Sequence, residues 1–322
     1  MLLKLVPDRT HVGFIKLRFA ALILSALLVV GSIAALFTLG LNFGVDFKGG
    51  VTIEVADDEP IDIGAVRETV SGLGLGTVDV QAIQDFAGAE EAVLVKISQQ
   101  EVDDPEAGED ANETAQQEAN QQVQDALRTL LGDGIDFRKI EVVGPTVSGE
   151  LIQKGAIAVA LAIAMMLIYI WLRFEWQFSL GAIVALVHDV IITLGMFAVT
   201  RLEFNLAIIA AILTIVGYSM NDTVVVYDRV RENLRKFKQK PLAELLDVSI
   251  NDTLSRTVMT SLTTMLALVV LVVFGGEVLR GFTLAMIWGV VIGTYSSIFV
   301  ASPFLLTTNV KRDWSKAAAQ TV

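Results

Sequence analysis

The sequence predicts an α-helical membrane bundle of six spans with a small α+β layer inserted between the first span and the second. Three observations carry this. The 322 residues are 53% hydrophobic and only 19% charged, whereas a soluble domain is usually about a quarter charged. Six stretches are apolar over roughly the 20 residues that a helix needs to cross a bilayer. Residues 42–154, between the first two stretches, have a different and acidic composition.

The six stretches are 19–39, 155–172, 178–200, 205–227, 256–274 and 282–306. The second is short, and the sixth is interrupted by the polar run Thr294 to Ser297. A cleaved signal peptide has an apolar core of only about 7–15 residues. The first stretch is longer and lacks a small-x-small cleavage site, so it reads as an uncleaved anchor. The chain divides into an arm (1–18), a first span (19–39), an inserted domain (42–154), a five-helix portion (155–306) and a tail (307–322).

Orientation follows from lysine and arginine in the short loops. Lys4, Arg9, Lys16 and Arg18 lie in the arm, and Arg173 lies in the turn after the second stretch. Arg229, Arg231, Arg235, Lys236, Lys238 and Lys240 follow the fourth, and Lys311, Arg312 and Lys316 lie in the tail. The opposite short loops hold only Arg201 and Arg280. Both termini are therefore expected in the cytoplasm, with 42–154 on the opposite side of the membrane. The basic 229–240 stretch is placed to meet anionic membrane lipids or a cytoplasmic partner, although orientation alone accounts for it.

Within the insert, 51–56 alternates as a strand and 61–73 has helical spacing with Asp62 near its start. Residues 78–84 and 92–98 read as strands, 111–131 as a helix and 135–143 as a last strand. The order βαββαβ suits a ferredoxin-like layer, one sheet covered by two helices. Such a fold hosts many functions and says little about mechanism. The stretch 101–122 is acidic, glutamine-rich and poor in large apolar residues, which predicts a disordered or mobile loop running into the second helix, a solvated insertion in preference to a binding tail.

The net charge is −12. Most of it has an address: 42–154 carries 24 acids and 7 bases, while the remainder carries 12 acids and 17 bases. The acidic total argues against a nucleic-acid partner, since that affinity comes from basic side chains on phosphates. The chain has no cysteine and only two histidines, His11 and His188. Thiolate sites and a three-histidine zinc site are thereby excluded. No G-x-x-x-x-G-K-[ST], H-E-x-x-H or G-x-S-x-G is present, so nucleotide hydrolysis, zinc proteolysis and serine-hydrolase chemistry have no support. We expect no cofactor and no enzymatic activity.

A charge at mid-bilayer costs at least about 2.5–3.5 kcal/mol on insertion scales, so ionisable residues inside spans are functional candidates. Asp222 lies in the fourth stretch, within Gly217-Tyr-Ser-Met-Asn-Asp-Thr223, about one turn from its cytoplasmic end. Arg256 opens the fifth stretch, within Leu254-Ser-Arg-Thr-Val-Met-Thr260, at the same depth. The two are placed to pair across adjacent helices, and Thr260 shares the face of Arg256. His188 and Asp189 sit near the middle of the third stretch. Bland alternatives exist for each: Arg256 snorkels to headgroups, Asp222 pairs structurally, and His188-Asp189 packs helices. Carboxylates, histidine and hydroxyls together, with no metal or nucleotide motif, resemble a proton path. Burial favours the neutral form of a carboxyl group and a nearby cation favours the charged form, so a moving arginine toggles protonation. Gly281, Gly289 and Gly293 form a small-residue stripe suited to close helix contact.

Longer motifs point the same way. Gly44-Val-Asp-Phe-Lys-Gly-Gly50 follows the first stretch and Val143-Gly-Pro-Thr-Val-Ser-Gly-Glu-Leu151 precedes the second. Ala185-Leu-Val-His-Asp-Val-Ile191, Gly217 to Arg229 and Ser255 to Thr264 follow in order. In sequence and placement they resemble the SecF family of bacterial protein-export subunits, over almost the whole chain. No family motif is recognised in the acidic 101–122 stretch, whose role stays open. The resemblance implies a partner, SecD, with a matching six-span bundle related to resistance-nodulation-division transporters. It implies that the pair assists preprotein export through the SecY channel after the SecA motor, powered by proton flow. It assigns proton transport to Asp222 and Arg256, with Thr260 as a third member. Asp46, Phe47, Gly49, Gly50, Gly144, Pro145, Asn221 and Thr223 are the matching motif positions. The alternatives are a proton-driven exporter of small molecules or lipids, and a scaffold that stabilises the translocon. Co-purification with SecD and the SecY channel separates the first reading from both.

Overall fold

Apolar helices long enough to cross a membrane dominate the computed structural model, which describes residues 10–57, 59–84, 91–100, 109–132, 134–308 and 310. A 3₁₀ turn (Phe14–Leu17) leads into α1 (Arg18–Thr38). Two short elements, β1 (Asn42–Phe43) and α2 (Val45–Lys48), connect it to the inserted layer. That layer comprises β2 (Gly50–Ala56), α3 (Ile63–Ser71), β3 (Val78–Gln84), β4 (Glu91–Ile97), α4 (Glu109–Leu131) and β5 (Asp136–Val143). The chain then returns as α5 (Pro145–Arg173) and α6 (Trp176–Thr200), followed by β6 (Glu203–Phe204). α7 (Leu206–Lys236), α8 (Leu242–Phe274), α9 (Gly276–Ser296), a π-helical turn (Ser297–Ala301) and α10 (Ser302–Phe304) complete the bundle.

The expected βαββαβ order is present. The four-stranded sheet runs β3-β4-β2-β5, antiparallel throughout. Its alternation has two jobs. Val51, Ile53 and Val55 pack with Val66 and Val70 of α3 and Val123 and Leu127 of α4. Full burial of such a side chain contributes about 1.5–3 kcal/mol. Thr52 and Glu54 point to the other face and are buried too, because that face lies over one end of the bundle. A cavity there is lined by Thr52, Glu54, Lys96 and Lys139 from the sheet and by Arg201, Glu203 and Arg280 from the bundle. The Asp62 side chain caps α3 by accepting from the N–H groups of Gly64 (2.8 Å) and Ala65 (3.3 Å), the orphan donors of a first turn.

The helix ends differ from the apolar windows. The second stretch belongs to a helix starting at Pro145, capped by Gly144, with proline in the first turn where its missing N–H costs nothing. α7 and α8 run past the apolar windows, to Lys236 and from Leu242. A membrane boundary ends the apolar pattern and leaves the backbone hydrogen bonding intact. Of the acidic stretch, residues 101–108 lie outside the described residues and 109–122 are helical. Residues 1–9 of the arm and 311–322 of the tail also lie outside them.

In lipid, helices associate by close packing rather than by escape from water. A Cβ on Gly289 would overlap Ile215, and one on Gly293 would press on Ser219, so these glycines set the approach of α9 to α7. Gly195 plays the same part for α6, facing Ser32 of α1.

The joint between layer and bundle is made of short elements. β1 pairs in parallel with β6. Arg201 closes α6 in the left-handed region (φ 59°) and donates to the carbonyls of Leu39 (2.8 Å) and Gly40 (2.9 Å) at the end of α1. Lys96 of β4 forms an ion pair with Glu203. Gly50 opens β2 at φ +126°, and a Cβ there would collide with the Ile97 carbonyl. A Gly50→Ala variant should therefore lose about 1–3 kcal/mol of local stability. We expect faster proteolysis within 42–154 and a lower unfolding temperature, with the spans still inserted.

Candidate functional site

α6, α7, α8 and the α9–π junction converge on two buried carboxylates. Asp189 of α6 is fully buried. Its Oδ1 faces His188 Nδ1 at 2.9 Å, and its Oδ2 accepts from Ser219 of α7 (2.5 Å) and Ser296 of α9 (2.7 Å). Asp222 of α7 is 8% exposed. Its Oδ1 accepts from Thr257 of α8 (2.5 Å), and its Oδ2 accepts from Ser297 at the head of the π turn. Both groups are thus satisfied by hydroxyls. Hydroxyls stabilise buried charge without fixing it, because each has one proton to give and lone pairs to accept with.

His188 is 6% exposed and stacks on Tyr295, with ring centroids 6.1 Å apart. Tyr295 in turn donates to the Ala21 carbonyl (2.8 Å) and lies 3.0 Å from Ser25 Oγ, tying this centre to α1. Nε2 of His188 is buried without a hydrogen-bond partner among the described residues.

The expected direct pair between Asp222 and Arg256 is not formed. Among the described residues no ion pair joins them, and Arg256 acts on Asp222 only through space. Thr257, one residue further along α8, takes the inward position, and Arg256 is exposed on the outer face. Consecutive residues on a helix point about 100° apart, so only one of the two can face α7. Thr260 does share the open side with Arg256, and its hydroxyl bonds the carbonyls of Arg256 and Thr257 (both 3.0 Å). Asn221 is exposed, whereas Thr223 is buried with no hydrogen-bond partner among the described residues.

The remaining motif positions build the joint. Asp46 Oδ2 accepts from the Leu206 N–H (2.8 Å), capping α7 from 160 residues away, beside the local cap from Asn205. Phe47 packs on Phe43 and Phe204. Gly49 (φ +69°) and Gly50 turn the chain from α2 into β2. Gly144 and Pro145 start α5. Among the described residues no group of three histidines or acids could hold a metal ion.

The family described as "Protein export membrane protein SecD/SecF, C-terminal" matches residues 122–311, and "SecD/SecF GG Motif" matches residues 34–56. A protein translocase subunit SecF from Cereibacter sphaeroides is 45% identical over 98% of this chain and 94% of its own length. The chain belongs to the SecD/SecF family, as a SecF member. The GG motif of the family falls on the α1–β2 joint and includes Gly49 and Gly50. The longer match spans both carboxylates. A SecF from Magnetococcus marinus is 47% identical over 92% of each chain. A SecDF subunit from Brucella abortus is 44% identical over 96% of this chain, which corresponds to 39% of that longer protein. The crystal structure of SecDF, a translocon-associated membrane protein from Thermus thermophilus, superimposes with a TM-score of 0.77 at 32% identity. That match covers 95% of this chain and 40% of the solved one. Six apolar helices and SecF membership make this a multi-pass inner-membrane protein and a transport component.

The sequence pointed to the charged members of this SecF site and missed their hydroxyl partners: Ser219, Thr257, Ser296 and Ser297. The polar run Thr294 to Ser297 inside an apolar stretch was the signal available for two of them. Gly289→Val should separate α9 from α7 and cost about 1–3 kcal/mol, the range for overpacking. Thermal unfolding in detergent is expected to show a lowered midpoint, with the inserted layer unchanged in protease resistance.

Proposed function

We propose that this chain works with SecD as the accessory part of the Sec export machinery, using the proton motive force to complete preprotein translocation. It acts after the SecA-driven step, beside the SecY channel, with both termini cytoplasmic and 42–154 in the periplasm. The observation that carries this reading is Asp222, a carboxylate buried in the apolar bundle and held by hydroxyls of two other elements. An acid with that environment can exist in both protonation states and can change partners when it switches.

Arg256, Thr260 and Asn221 support a two-chain machine. They lie exposed along a surface of α7 and α8 that also presents Met259, Leu262 and Leu266. An unpaired cation at the edge of the hydrocarbon is costly. SecD meets that need by covering this face and bringing an aspartate to Arg256, as the family resemblance implies. Proton entry then alternates Asp222 between its hydroxyl cradle and the field of Arg256, with Asp189 and His188 as a second buried station. One charge crossing 100 mV releases roughly 2.3 kcal/mol. A few protons suffice to bias how the external layer rides on the bundle through α2, β1–β6 and Lys96–Glu203.

The test is proton-gradient-dependent preprotein translocation in membrane vesicles. Asp222→Asn and Arg256→Met should each abolish the gradient-dependent component while SecD and SecY-channel proteins still co-purify. Full activity of either variant at normal expression would remove the mechanism.

A further inference from the structure

The two carboxylates are bridged by consecutive residues of one helix. Ser296 Oγ donates to Asp189 Oδ2 (2.7 Å), and Ser297 Oγ donates to Asp222 Oδ2. Each hydroxyl also has a second acceptor within reach: Gly293 O for Ser296 and Thr294 O for Ser297, both at 3.1 Å. Both serines are fully buried, so no solvent competes for their single protons.

The backbone changes form at this point. The α-helix ends at Ser296, and Ser297–Ala301 is a π turn. Such turns leave carbonyls without their normal N–H partners and recur at functional sites. Here side-chain hydroxyls take two of them: Ser302 Oγ donates to Ser297 O (2.8 Å) and Tyr227 Oη donates to Ala301 O (2.9 Å). Tyr227 lies on α7, as Asp222 does, so the turn is held at both ends by groups on the carboxylate-bearing helix or its own.

We infer that Ser296 and Ser297 are positioning residues that couple the protonation of Asp222 to that of Asp189 through the π turn. The inference rests on the proton-carrying role of Asp222 proposed above. While Asp222 is ionised, Ser297 gives it a hydrogen bond. A proton arriving on Asp222 makes that oxygen a donor. Ser297 keeps its own proton, turns it to the Thr294 carbonyl and accepts from Asp222 instead. The same exchange at Ser296 involves Asp189 and the Gly293 carbonyl. Because the serines are adjacent, reorienting one alters the backbone that aims the other. Among the described residues the charged group that acts on Asp222 is Arg256 from α8, while Asp189 with His188 on α6 is joined to the same α7 through Ser219. From the π turn the Ser297 hydroxyl reaches Asp222, and from α8 the Thr257 hydroxyl.

The experiment is pH-difference infrared spectroscopy of the full chain reconstituted with SecD in lipid vesicles. The carboxylic C=O band that disappears in Asp222→Asn reports protonated Asp222. Ser297→Ala should move this band to higher frequency through loss of a hydrogen bond, and Ser297→Thr should restore it. Asp189→Asn should shift the Asp222 band in the parent chain and leave it unmoved when Ser296→Ala and Ser297→Ala are also present. A merely structural serine pair would not produce that conditional shift. An Asp222 band unmoved by Ser297→Ala, or moved equally by Asp189→Asn with and without the serines, overturns the coupling and leaves the role of Asp222 standing. Failure of Asp222→Asn to remove any band overturns both. The single Ser296→Ala variant, expected to weaken the Asp189-dependent shift alone, serves where the double variant does not fold.

Discussion

Water is absent from the middle of a bilayer, so every polar group placed there must be satisfied by the protein. That constraint organises this bundle. Two acids on neighbouring helices can be buried only if other helices bring hydroxyls to them, and the hydroxyls reach only if the backbones come close. Gly289 and Gly293 permit that approach between α9 and α7. Ser219, three residues before Asp222 on α7, then reaches Asp189 on α6. The packing of four elements is thus specified by two carboxylates as much as by apolar contact. A helix rotated by one residue would leave an acid unsatisfied, at a cost of about 1–3 kcal/mol or more for a charged group.

Much of this was legible in the sequence, for physical reasons that differ by element. The spans and the βαββαβ layer show themselves by length and period, which local chemistry dictates. Asp189, Asp222 and Arg256 stand out because charge is rare in apolar stretches. Their partners do not, because serine and threonine are ordinary in membrane helices and bond their own backbone. Thr263 and Thr283 do so here. Only the rotation of α8 decides that Thr257 rather than Arg256 faces Asp222, and rotation is a property of the assembled bundle. The β1–β6 pair has two residues per strand, too few for any periodic signal.

The inserted layer is fastened at several unlike points. An ion pair joins Lys96 to Glu203, a parallel pair joins β1 to β6, and Arg201 closes over the end of α1. All fall on the α6–α7 connection, so that loop is the platform on which the layer sits. Movement of α7 relative to α6, the helices that carry the two acids, therefore acts directly on the base of the sheet. Site and layer are thus both anchored on α6, α7 and their connection.

The cap on α7 has a further meaning for biogenesis. Asp46 leaves the ribosome long before Leu206, from whose N–H it will accept, and the intervening chain includes the whole inserted layer and two more spans. The first span and the turn after it must therefore wait, membrane-inserted and incompletely docked, until the fourth has been made. Contacts so distant in sequence are slow to form, because loop closure precedes any gain from them. A chain arrested after α6 would hold a formed sheet on an unfinished base. The joint at the end of the first span is thus closed from the middle of the chain, by the arrival of one helix start.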